Sequence, residues 1–554
     1  MERRVLLAIT LSFLVLFLFQ RFVVPPPAPR NASVSTTSVA PPPATAPTAS
    51  TSAPAASPTG ATARSASPAS VAVVTGETAE REVVVETETV RATFTNRGAR
   101  LVHWTIKKFQ NDKGSPLELV PGGAGANAIK PFTLSVDDAN LTQTLNNALY
   151  KAESGELKVS FEMATSEGLS AKKTFTFSPT GYIVDFGANV TRNGERLNPT
   201  VQWGPGLGDD IARAKPASFF SPSYNTPAQA IIHKEGSVTR LSPTAAGGES
   251  GQFLYVGVDD HYFVSIAENK DNPQLLHFQY ASRIVPWLDE PGTNGRYVEY
   301  LVRYQTPQDS MKFFFGPKAV DELSTLSPEF VRVVNYGMFS ILAVPLLGAL
   351  KWVHSYIGNW GWSIIVLTII INLVMFPLRH KAVVSMKKMQ EIQPQMKAIQ
   401  DRYAKYKITD PERQKMNEEV MALYKARGVH PASGCVQTLI TLPFLFAFYS
   451  MLSQSIEIRG ADFTGWITNL SAPDPWYITP ILMGAAQFWQ TKMTPTTMDP
   501  AQQKVMMFMP IMFTFMSLSF PSGLVIYWLV STAWTIGQQY LTNYLIGNQK
   551  PARA

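Results

Sequence analysis

Two kinds of hydrophobic patterning divide the chain into a strand-rich part and a helix-rich part. Between residues 79 and 332, apolar and polar residues alternate in short segments such as Thr89–Thr95 and Tyr297–Tyr304, and turn-forming residues separate these segments. Alternation with a period of two predicts antiparallel strands that bury one face. We therefore expect an all-β domain, a large sandwich or barrel, over residues 79–332.

From residue 336 onward the apolar segments become longer, and the pattern predicts membrane helices. Residues 336–356 combine a short apolar stretch with an aromatic, basic flank, which favours an interfacial amphipathic helix. Residues 357–378 are long enough to cross a bilayer as transmembrane helix 2. Transmembrane helices 3–6 are expected within residues 434–546, at Cys435–Leu452, Trp476–Trp489, Val505–Phe520 and Leu524–Ile546.

The N-terminal residues predict an anchor and a tether. Residues 1–24 form an apolar run behind Arg3 and Arg4 and lack a nearby small-residue cleavage site, which indicates an uncleaved transmembrane signal anchor. Residues 25–78 are dominated by Pro, Ala, Ser and Thr, which cannot bury enough apolar surface to fold, so a disordered linker is expected there.

Charge predicts the topology. Residues 379–427 contain twelve Lys or Arg against six Asp or Glu, which places them in the cytoplasm by the positive-inside rule. With the N-terminus inside and the β domain outside, only an odd number of crossings separates that domain from the basic segment. One crossing fits, so we expect a multi-pass inner-membrane protein with six transmembrane helices and a short cytoplasmic tail at 547–554.

The basic segment, residues 379–430, is predicted to be a cytoplasmic helical hairpin. Its second helix begins at an N-cap, Asp410, with Pro411 in the first turn, and it ends at Arg427 before Gly428. A formal net charge of +7 is therefore explained by cytoplasmic loops, and we expect no direct binding of nucleic acid.

Candidate chemistry is sparse. The single cysteine, Cys435, excludes an intramolecular disulfide framework and a multi-cysteine metal site, and neither metal-site spacing nor a phosphate loop occurs. Asp259-Asp260-His261 is the one tempting cluster, but adjacent strand residues point to opposite faces, which favours a turn and strand edge over a site. We therefore expect no catalytic residue, no metal and no cofactor.

Polar residues within the membrane helices are more informative, because they are costly in a bilayer. Thr368 and Asn372 lie four residues apart on one helix face, and Arg379 follows two turns later at the cytoplasmic boundary. Thr441 lies in the next helix, and Tyr527 and Trp528 lie in the last. Either these groups form ordinary interhelical hydrogen bonds or they line a polar path.

The sequence resembles the YidC/Oxa family of membrane-protein insertases over residues 336–546. The collinear matching motifs are Gly358-Asn-Trp-Gly-Trp-Ser363, Met375-Phe-Pro-Leu378, Met421-Ala-Leu-Tyr-Lys425, Pro431-Ala-Ser-Gly-Cys435, Asp474-Pro-Trp-Tyr477, Met493-Thr-Pro-Thr-Thr497, Asp499-Pro-Ala-Gln-Gln-Lys504 and Phe520-Pro-Ser-Gly-Leu524. The anchor and β domain resemble the Gram-negative form, whose periplasmic domain is a β-supersandwich.

The resemblance implies a function without a chemical reaction. Family members insert and fold nascent membrane proteins, alone or with the Sec translocon, through a hydrophilic groove that is open to cytoplasm and lipid. The cytoplasmic hairpin would contact incoming chains. By the same resemblance, the substrate groove would be lined by Thr368, Asn372, Thr441, Tyr527 and Trp528, with Leu442 and Leu445 on its apolar side.

Two departures from the family pattern affect these expectations. The family usually carries an arginine inside the groove where this chain has Asn372, and we hypothesise that Arg379 supplies the missing charge from the groove mouth. The C-terminal tail is short, so contact with a ribosome is expected to be weak. A polytopic transporter, or a membrane-anchored periplasmic enzyme or carbohydrate-binding domain, remain the alternative functions.

Overall fold

A computed structural model describes residues 73–111, 114–121, 129–208, 228–241, 246–270, 273–286, 294–403, 406, 410–428, 433–494 and 500–548, and within helices and strands it leaves undescribed the side chains of residues 285–286, 294–295, 413, 433–442, 500–505 and 546–548. The predicted anchor, residues 1–24, and most of the predicted linker lie outside these residues. The described residues comprise an all-β part followed by a helical part, and this confirms the predicted fold class.

The β part contains twenty described strands. Their bounds are β1 Val73–Thr75, β2 Glu82–Glu86, β3 Val90–Thr95, β4 Arg100–Gln110, β5 Pro116–Glu118, β6 Thr133–Ser135, β7 Lys151–Ser154, β8 Lys158–Thr165, β9 Leu169–Phe177, β10 Ile183–Arg192, β11 Glu195–Leu197, β12 Thr200–Trp203, β13 Gln229–Lys234, β14 Ser237–Leu241, β15 Gly247–Gly251, β16 Tyr255–Asp259, β17 Phe263–Glu268, β18 Leu276–Pro286, β19 Asn294–Tyr304 and β20 Met311–Pro317.

Nine α-helices are described. They are α1 Ala139–Asn147, α2 Val320–Leu326, α3 Ser340–Ile357, α4 Trp360–Arg402, α5 Pro411–Ala426, α6 Ser433–Gln454, α7 Ile478–Met493, α8 Pro500–Ser517 and α9 Ser522–Asn548. Short 3-10 turns at Phe330–Val333, Gly337–Phe339 and Ile456–Ile458 lie close to the boundary between the two parts.

The predicted boundary at residue 79 is wrong by a few residues, because the fold already begins at β1. Val73 and Thr75 pair with β8 in an antiparallel register. Glu77 then accepts hydrogen bonds from the side chains of Arg81 and Asn96 and from the backbone N–H of Ala152. Backbone pairing secures this segment although two of its three residues are exposed, so hydrophobic patterning did not reveal it.

The strands form one large antiparallel sheet covered by two smaller sheets. The large sheet has the order β1-β8-β9-β10-β20-β17-β16-β13-β14, with β7 added to β8 and β11 added to β10. The smaller sheets have the orders β15-β18-β19-β12-β6 and β2-β3-β4-β5. Two sheets that share the face of a third are the supersandwich arrangement expected from the family resemblance.

Aromatic side chains fill the space between the sheets. Phe175 of the large sheet lies 4.5 Å from Phe94 of the four-stranded sheet, between ring centroids. Trp203 of the five-stranded sheet stacks on Phe315 of the large sheet at 3.7 Å. Each fully buried aromatic ring stabilises the fold by roughly 1.5–3 kcal/mol, so this layer holds all three sheets together.

Helix α4 differs most from the sequence prediction. Transmembrane helix 2 was expected over 357–378 and a helical hairpin from 379, and the structure joins the two in one helix, α4, of 43 residues. The Asn359 side chain caps its start by accepting a hydrogen bond from the Trp362 N–H at 3.1 Å. The boundary at Leu378 is therefore a change from apolar to basic surroundings, and it does not end the helix, because good helix formers flank Pro377 and Pro394.

The predicted start and end of the second hairpin helix are confirmed. Asp410 caps α5 by accepting from the Glu412 N–H at 3.1 Å, and Gly428 beyond its end has a φ of 60°. The Tyr403 hydroxyl donates to Glu419 at 2.8 Å, and the Tyr424 hydroxyl contacts the Met396 sulfur at 3.0 Å. These pairings make α5 antiparallel to the end of α4.

Length and composition identify two described helices that are long and apolar enough to cross a membrane, Gly337–Ile357 and Trp360–Arg402. The first contains the segment predicted to lie at the membrane surface, so length alone does not distinguish a span from an interfacial helix. Met506–Ser517 is apolar but shorter. Helices α6, α7, α8 and α9 occupy the positions of the four further predicted spans.

Candidate functional site

Polar side chains form a ladder on the buried face of α4. The Thr368 hydroxyl donates to the Ile364 carbonyl at 2.6 Å, and the Asn372 Nδ2 donates to the Thr368 carbonyl at 2.7 Å. Thr368 is 0% and Asn372 2% exposed. Because the amide nitrogen of Asn372 is used within the helix, its oxygen is left to accept from elsewhere.

Arg379 reaches back along α4 to this oxygen. Side chains of a helix lean toward its N-terminus, and a guanidinium can span the two turns from residue 379 to residue 372. Its Nη1 donates to Asn372 Oδ1 at 2.7 Å and to Thr535 Oγ1 at 3.1 Å. The side chain is buried, so the positive charge lies beside Asn372 inside the helical bundle.

Among the described residues, the guanidinium of Arg379 donates only to neutral oxygen atoms. It forms no ion pair there, and its buried Nε has no hydrogen-bond partner. A cation without a carboxylate partner is costly in an apolar bundle, and such residues mark functional positions in membrane proteins. The backbone of Arg379 lies two turns from Asn372, but its guanidinium reaches the level of Asn372. The hypothesis that Arg379 supplies a charge from a groove mouth stays a prediction.

A row of polar residues on α9 faces α4, and the sequence analysis missed it. Ser531, Thr535, Gln538 and Thr542 follow one another at spacings of four, three and four residues, which is one face of a helix. The Gln538 amide donates to the Phe376 carbonyl at 3.2 Å, and Thr542 lies 3.1 Å from His380 Nδ1. Regular polar spacing in an otherwise apolar helix was the available signal.

The two aromatic residues predicted for the site, Tyr527 and Trp528, pack against different helices. Tyr527 stacks on Phe448 of α6 with ring centroids 4.2 Å apart, and Trp528 packs against Phe513 of α8 at 4.5 Å. Leu445 of α6 is half-buried against the core. Helix α6 includes Thr441 and Leu442, but their side chains lie outside the described part of the chain.

The segment between α6 and α7 is organised around Asp474. This buried carboxylate accepts hydrogen bonds from the backbone N–H groups of Trp476 and Thr479, from the Thr479 hydroxyl and from the Trp466 indole. Burial acts to raise the pKa of Asp474, but the four donors outweigh it and lower the pKa below its ordinary value. The rings of Trp466 and Trp476 stack above at 5.5 Å.

Comparison with known proteins identifies the family. A family model described as 60Kd inner membrane protein matches residues 352–549, and a model of the YidC periplasmic domain matches residues 82–349. A membrane protein insertase YidC of Geobacter sulfurreducens is 35% identical over 580 residues, covering 98% of each chain. The chain belongs to the YidC family.

A second relative and a solved structure also match this chain. A membrane protein insertase YidC of Cupriavidus taiwanensis is 35% identical over 485 residues, which cover 85% of this chain and 84% of that protein. A solved structure of an active YidC insertase with its first transmembrane domain matches with a TM-score of 0.35 and 18% identity, over 86% of this chain and 94% of that chain.

Family membership confirms the resemblance drawn from the motifs, and it identifies the chain as an inner-membrane protein with a β-rich periplasmic domain. The tempting Asp259-Asp260-His261 cluster is a strand end and turn, as expected. Within the described residues, no group of three His, Cys, Asp or Glu side chains is arranged to hold a metal ion. The polar residues described above face one another between α4 and α9, and we call this set the α4–α9 seam. It consists of Thr368, Asn372 and Arg379 of α4 with Ser531, Thr535, Gln538 and Thr542 of α9.

Proposed function

We propose that this chain inserts membrane proteins into the inner membrane and helps them to fold, with the α4–α9 seam as the polar contact for the client. Membership of the YidC family supports this function. No covalent chemistry is required. Transfer of the client's apolar helix into lipid provides the driving force, and the protein lowers the barrier for the polar segment that must follow.

The proposed topology has six transmembrane helices, cytoplasmic termini and a periplasmic β domain. The excess of basic residues between 379 and 427 supports a cytoplasmic hairpin. Contacts of α3 support its assignment to the periplasmic membrane surface. Its Lys351 lies 2.9 Å from Asp321 of the β domain and 2.7 Å from Glu457, which follows α6.

The single observation that carries the mechanism is the unneutralised guanidinium of Arg379 beside Asn372. Its present acceptors, Asn372 Oδ1 and Thr535 Oγ1, are neutral oxygens. A client carboxylate would make shorter and stronger charge-assisted hydrogen bonds with the same donors. The low dielectric of the bundle increases the difference, so an acidic segment would displace the neutral oxygens and be held transiently.

The client's apolar helix would leave along the outer face of α8. Met509, Met512 and Met516 are exposed there together with Phe508 and Phe515. Flexible thioether side chains adapt to apolar surfaces of different shape, which suits a surface that accepts varied clients.

Partners follow from the same proposal. Nascent membrane proteins are the substrates, and the hairpin formed by α5 and the end of α4 would meet them first. Cooperation with the Sec translocon is expected from the family resemblance.

The first prediction concerns the charge itself. We expect Arg379→Ala to slow the insertion of a small two-span client with an acidic translocated segment by about tenfold or more, because a charge pair inside the bundle contributes several kcal/mol. Insertion would be followed by protease protection in cells depleted of the wild-type protein. Lys492→Ala, which removes an exposed charge from α7 outside the hairpin, is the matched control.

A charge exchange tests the position of the guanidinium. The double variant Asn372→Arg with Arg379→Asn returns the arginine to residue 372, and we expect it to restore insertion relative to Arg379→Ala. Normal insertion of the acidic client by the Arg379→Ala variant contradicts the proposed role of this residue. Normal insertion after depletion of the protein, with altered flux of small molecules, would instead favour a transporter.

A further inference from the structure

A cavity of about 300 Å³ lies between α4 and the C-terminal end of α5. It adjoins the α4–α9 seam, because His380 lines the cavity and also contacts Thr542 of α9 at 3.1 Å, and it begins one residue beyond Arg379. The residues that line it are His380, Lys381, Val384, Ser385, Lys388 and Gly428.

The lining of this cavity is basic and has no acidic member. Lys381 and Lys388 are exposed, and they form no ion pair with the described residues. At the opposite end of the hairpin two described cations are paired, since Arg402 lies 3.4 Å from Glu419 and Lys415 lies 2.6 Å from Glu412. Two unpaired ammonium groups at one cavity give it the charge to bind an anion.

The cavity continues the lipid-exposed face of α4. Ile370, Val374 and Leu378 are exposed apolar residues at spacings of four, and Lys381, Ser385 and Lys388 follow on the same helix face at spacings of three and four. An apolar stripe that runs directly into a basic cleft matches a phospholipid, whose acyl chains and phosphate are joined in the same order.

We propose that this cavity binds the phosphate of an anionic phospholipid at the membrane surface. The ammonium groups of Lys381 and Lys388 would donate hydrogen bonds to the phosphate oxygens, and the acyl chains would lie along Ile370, Val374 and Leu378. The proposal requires that the N-terminal half of α4 spans the membrane, but it does not depend on insertase activity. Free inorganic phosphate shares the headgroup chemistry but has nothing to place on the apolar stripe.

Lipid retention by the purified full-length protein tests this site. Native mass spectrometry would compare phosphatidylglycerol with phosphatidylcholine for the wild type and for the variant Lys381→Gln with Lys388→Gln. We expect the wild type to prefer phosphatidylglycerol. The variant should bind it roughly 30-fold more weakly, since each of the two cations near the anionic headgroup contributes roughly fivefold in affinity. The variant Lys387→Gln with Lys397→Gln removes the same charge from other faces of α4, and it should retain the lipid.

Three results would overturn the proposal. Equal loss of phosphatidylglycerol in both double variants would mean diffuse attraction by net charge, and unchanged retention in the Lys381 and Lys388 variant would mean that the cavity is not the site. Displacement of the lipid by millimolar inorganic phosphate would identify a site for free phosphate. A client insertion assay in zwitterionic lipid, run in parallel, separates failure of this site from failure of the insertase function.

Discussion

At the scale of residues, two neighbours with opposite titration behaviour lie where the β domain meets the helices. His261 Nε2 lies 2.6 Å from the Ser453 carbonyl of α6, and Asp260 accepts from the N–H groups of Tyr262 and Phe263. Burial lowers the pKa of His261 to about 4, assisted by the nearby charge of Lys318. Burial also raises the pKa of Asp260 to about 6, although the two N–H donors and Lys318 oppose it.

These two shifts predict compensating effects on stability. Because the folded pKa of His261 is below its unfolded value of 6.5, its contribution to the unfolding free energy is lost as pH falls from about 6.5 to 4. Because the folded pKa of Asp260 is above its unfolded value of 3.8, its contribution increases as pH falls from about 6 to 4. Relative to the wild type, His261→Gln should therefore gain stability at pH 4, and Asp260→Asn should lose it, each on the order of 2–3 kcal/mol.

Thermal unfolding between pH 4 and 7 measures both effects. Gln retains a donor toward the Ser453 carbonyl, and Asn retains the acceptor toward Tyr262 and Phe263, so the turn itself is preserved in each variant. Identical pH profiles for the wild type and both variants would show that neither group titrates in this range.

Sequence reasoning found some residues of the site and missed others for a physical reason. Thr368, Asn372 and Arg379 were identified because polar residues in an apolar segment are conspicuous one by one. That Arg379 supplies the charge beside Asn372 depends on how a flexible side chain is positioned by Thr535 of α9, 156 residues away. Such long-range contacts leave no local pattern.

At the scale of elements, α7 and α8 pack closely through a glycine. A Cβ added at Gly484 would overlap the Thr514 hydroxyl and lie 3.0 Å from the Thr514 Cβ. Small residues at helix–helix contacts allow close approach of the backbones, which is a main source of stability between membrane helices.

We expect Gly484→Ala to lower the free energy of unfolding by about 1–3 kcal/mol, because the added methyl group must push the helices apart. Thermal unfolding in nanodiscs measures the change. The double variant Gly484→Ala with Thr514→Ala should recover part of the loss, since it removes the overlapping hydroxyl.

Gly537 of α9 is the matched control, because a Cβ there would meet no atom within 4 Å. Gly537→Ala should be neutral or stabilising by up to about 1 kcal/mol, as helix propensity predicts. Equal destabilisation by Gly484→Ala and Gly537→Ala would contradict the role of close packing.

Elements were predicted well where their signals are local. Alternation at Thr89–Thr95 and Tyr297–Tyr304 located β3 and β19, and the Asp410 cap and Gly428 located the ends of α5 correctly. The end of transmembrane helix 2 at residue 378 stays a prediction, because hydropathy reports the surroundings of a helix and the helix itself continues to Arg402. The prediction of six spans remains untested, since only two described helices are long and apolar enough by themselves.

At the scale of the whole molecule, the β domain is attached to the helices by more than its covalent connection. Lys351 of α3 bridges Asp321 and Glu457, and His261 contacts the Ser453 carbonyl. The guanidinium of Arg459 also lies 5.3 Å from the centroids of the Tyr262 and Phe263 rings. These contacts orient the domain on the helical bundle, which the sequence analysis did not anticipate from a tethered domain.

We expect Lys351→Met to loosen this attachment by on the order of 1 kcal/mol, because it removes two ion pairs that are partly exposed. Spin labels on the β domain and on α6 should then show a broader distance distribution by electron paramagnetic resonance. Lys151→Met breaks an ion pair with Glu153 inside the β domain and is the control. A distribution that is unchanged by Lys351→Met would show that the other contacts suffice.

The unbroken course of α4 has a mechanical consequence. Forty-three helical residues correspond to a rod of about 65 Å, at 1.5 Å per residue. The same rod carries the helical hairpin at one end and the guanidinium beside Asn372 near its middle. A client chain that pulls on or twists the hairpin would therefore also rotate Arg379, the residue proposed to receive the client's acidic segment. Docking of the client at the hairpin and the orientation of the guanidinium are mechanically coupled through one helix.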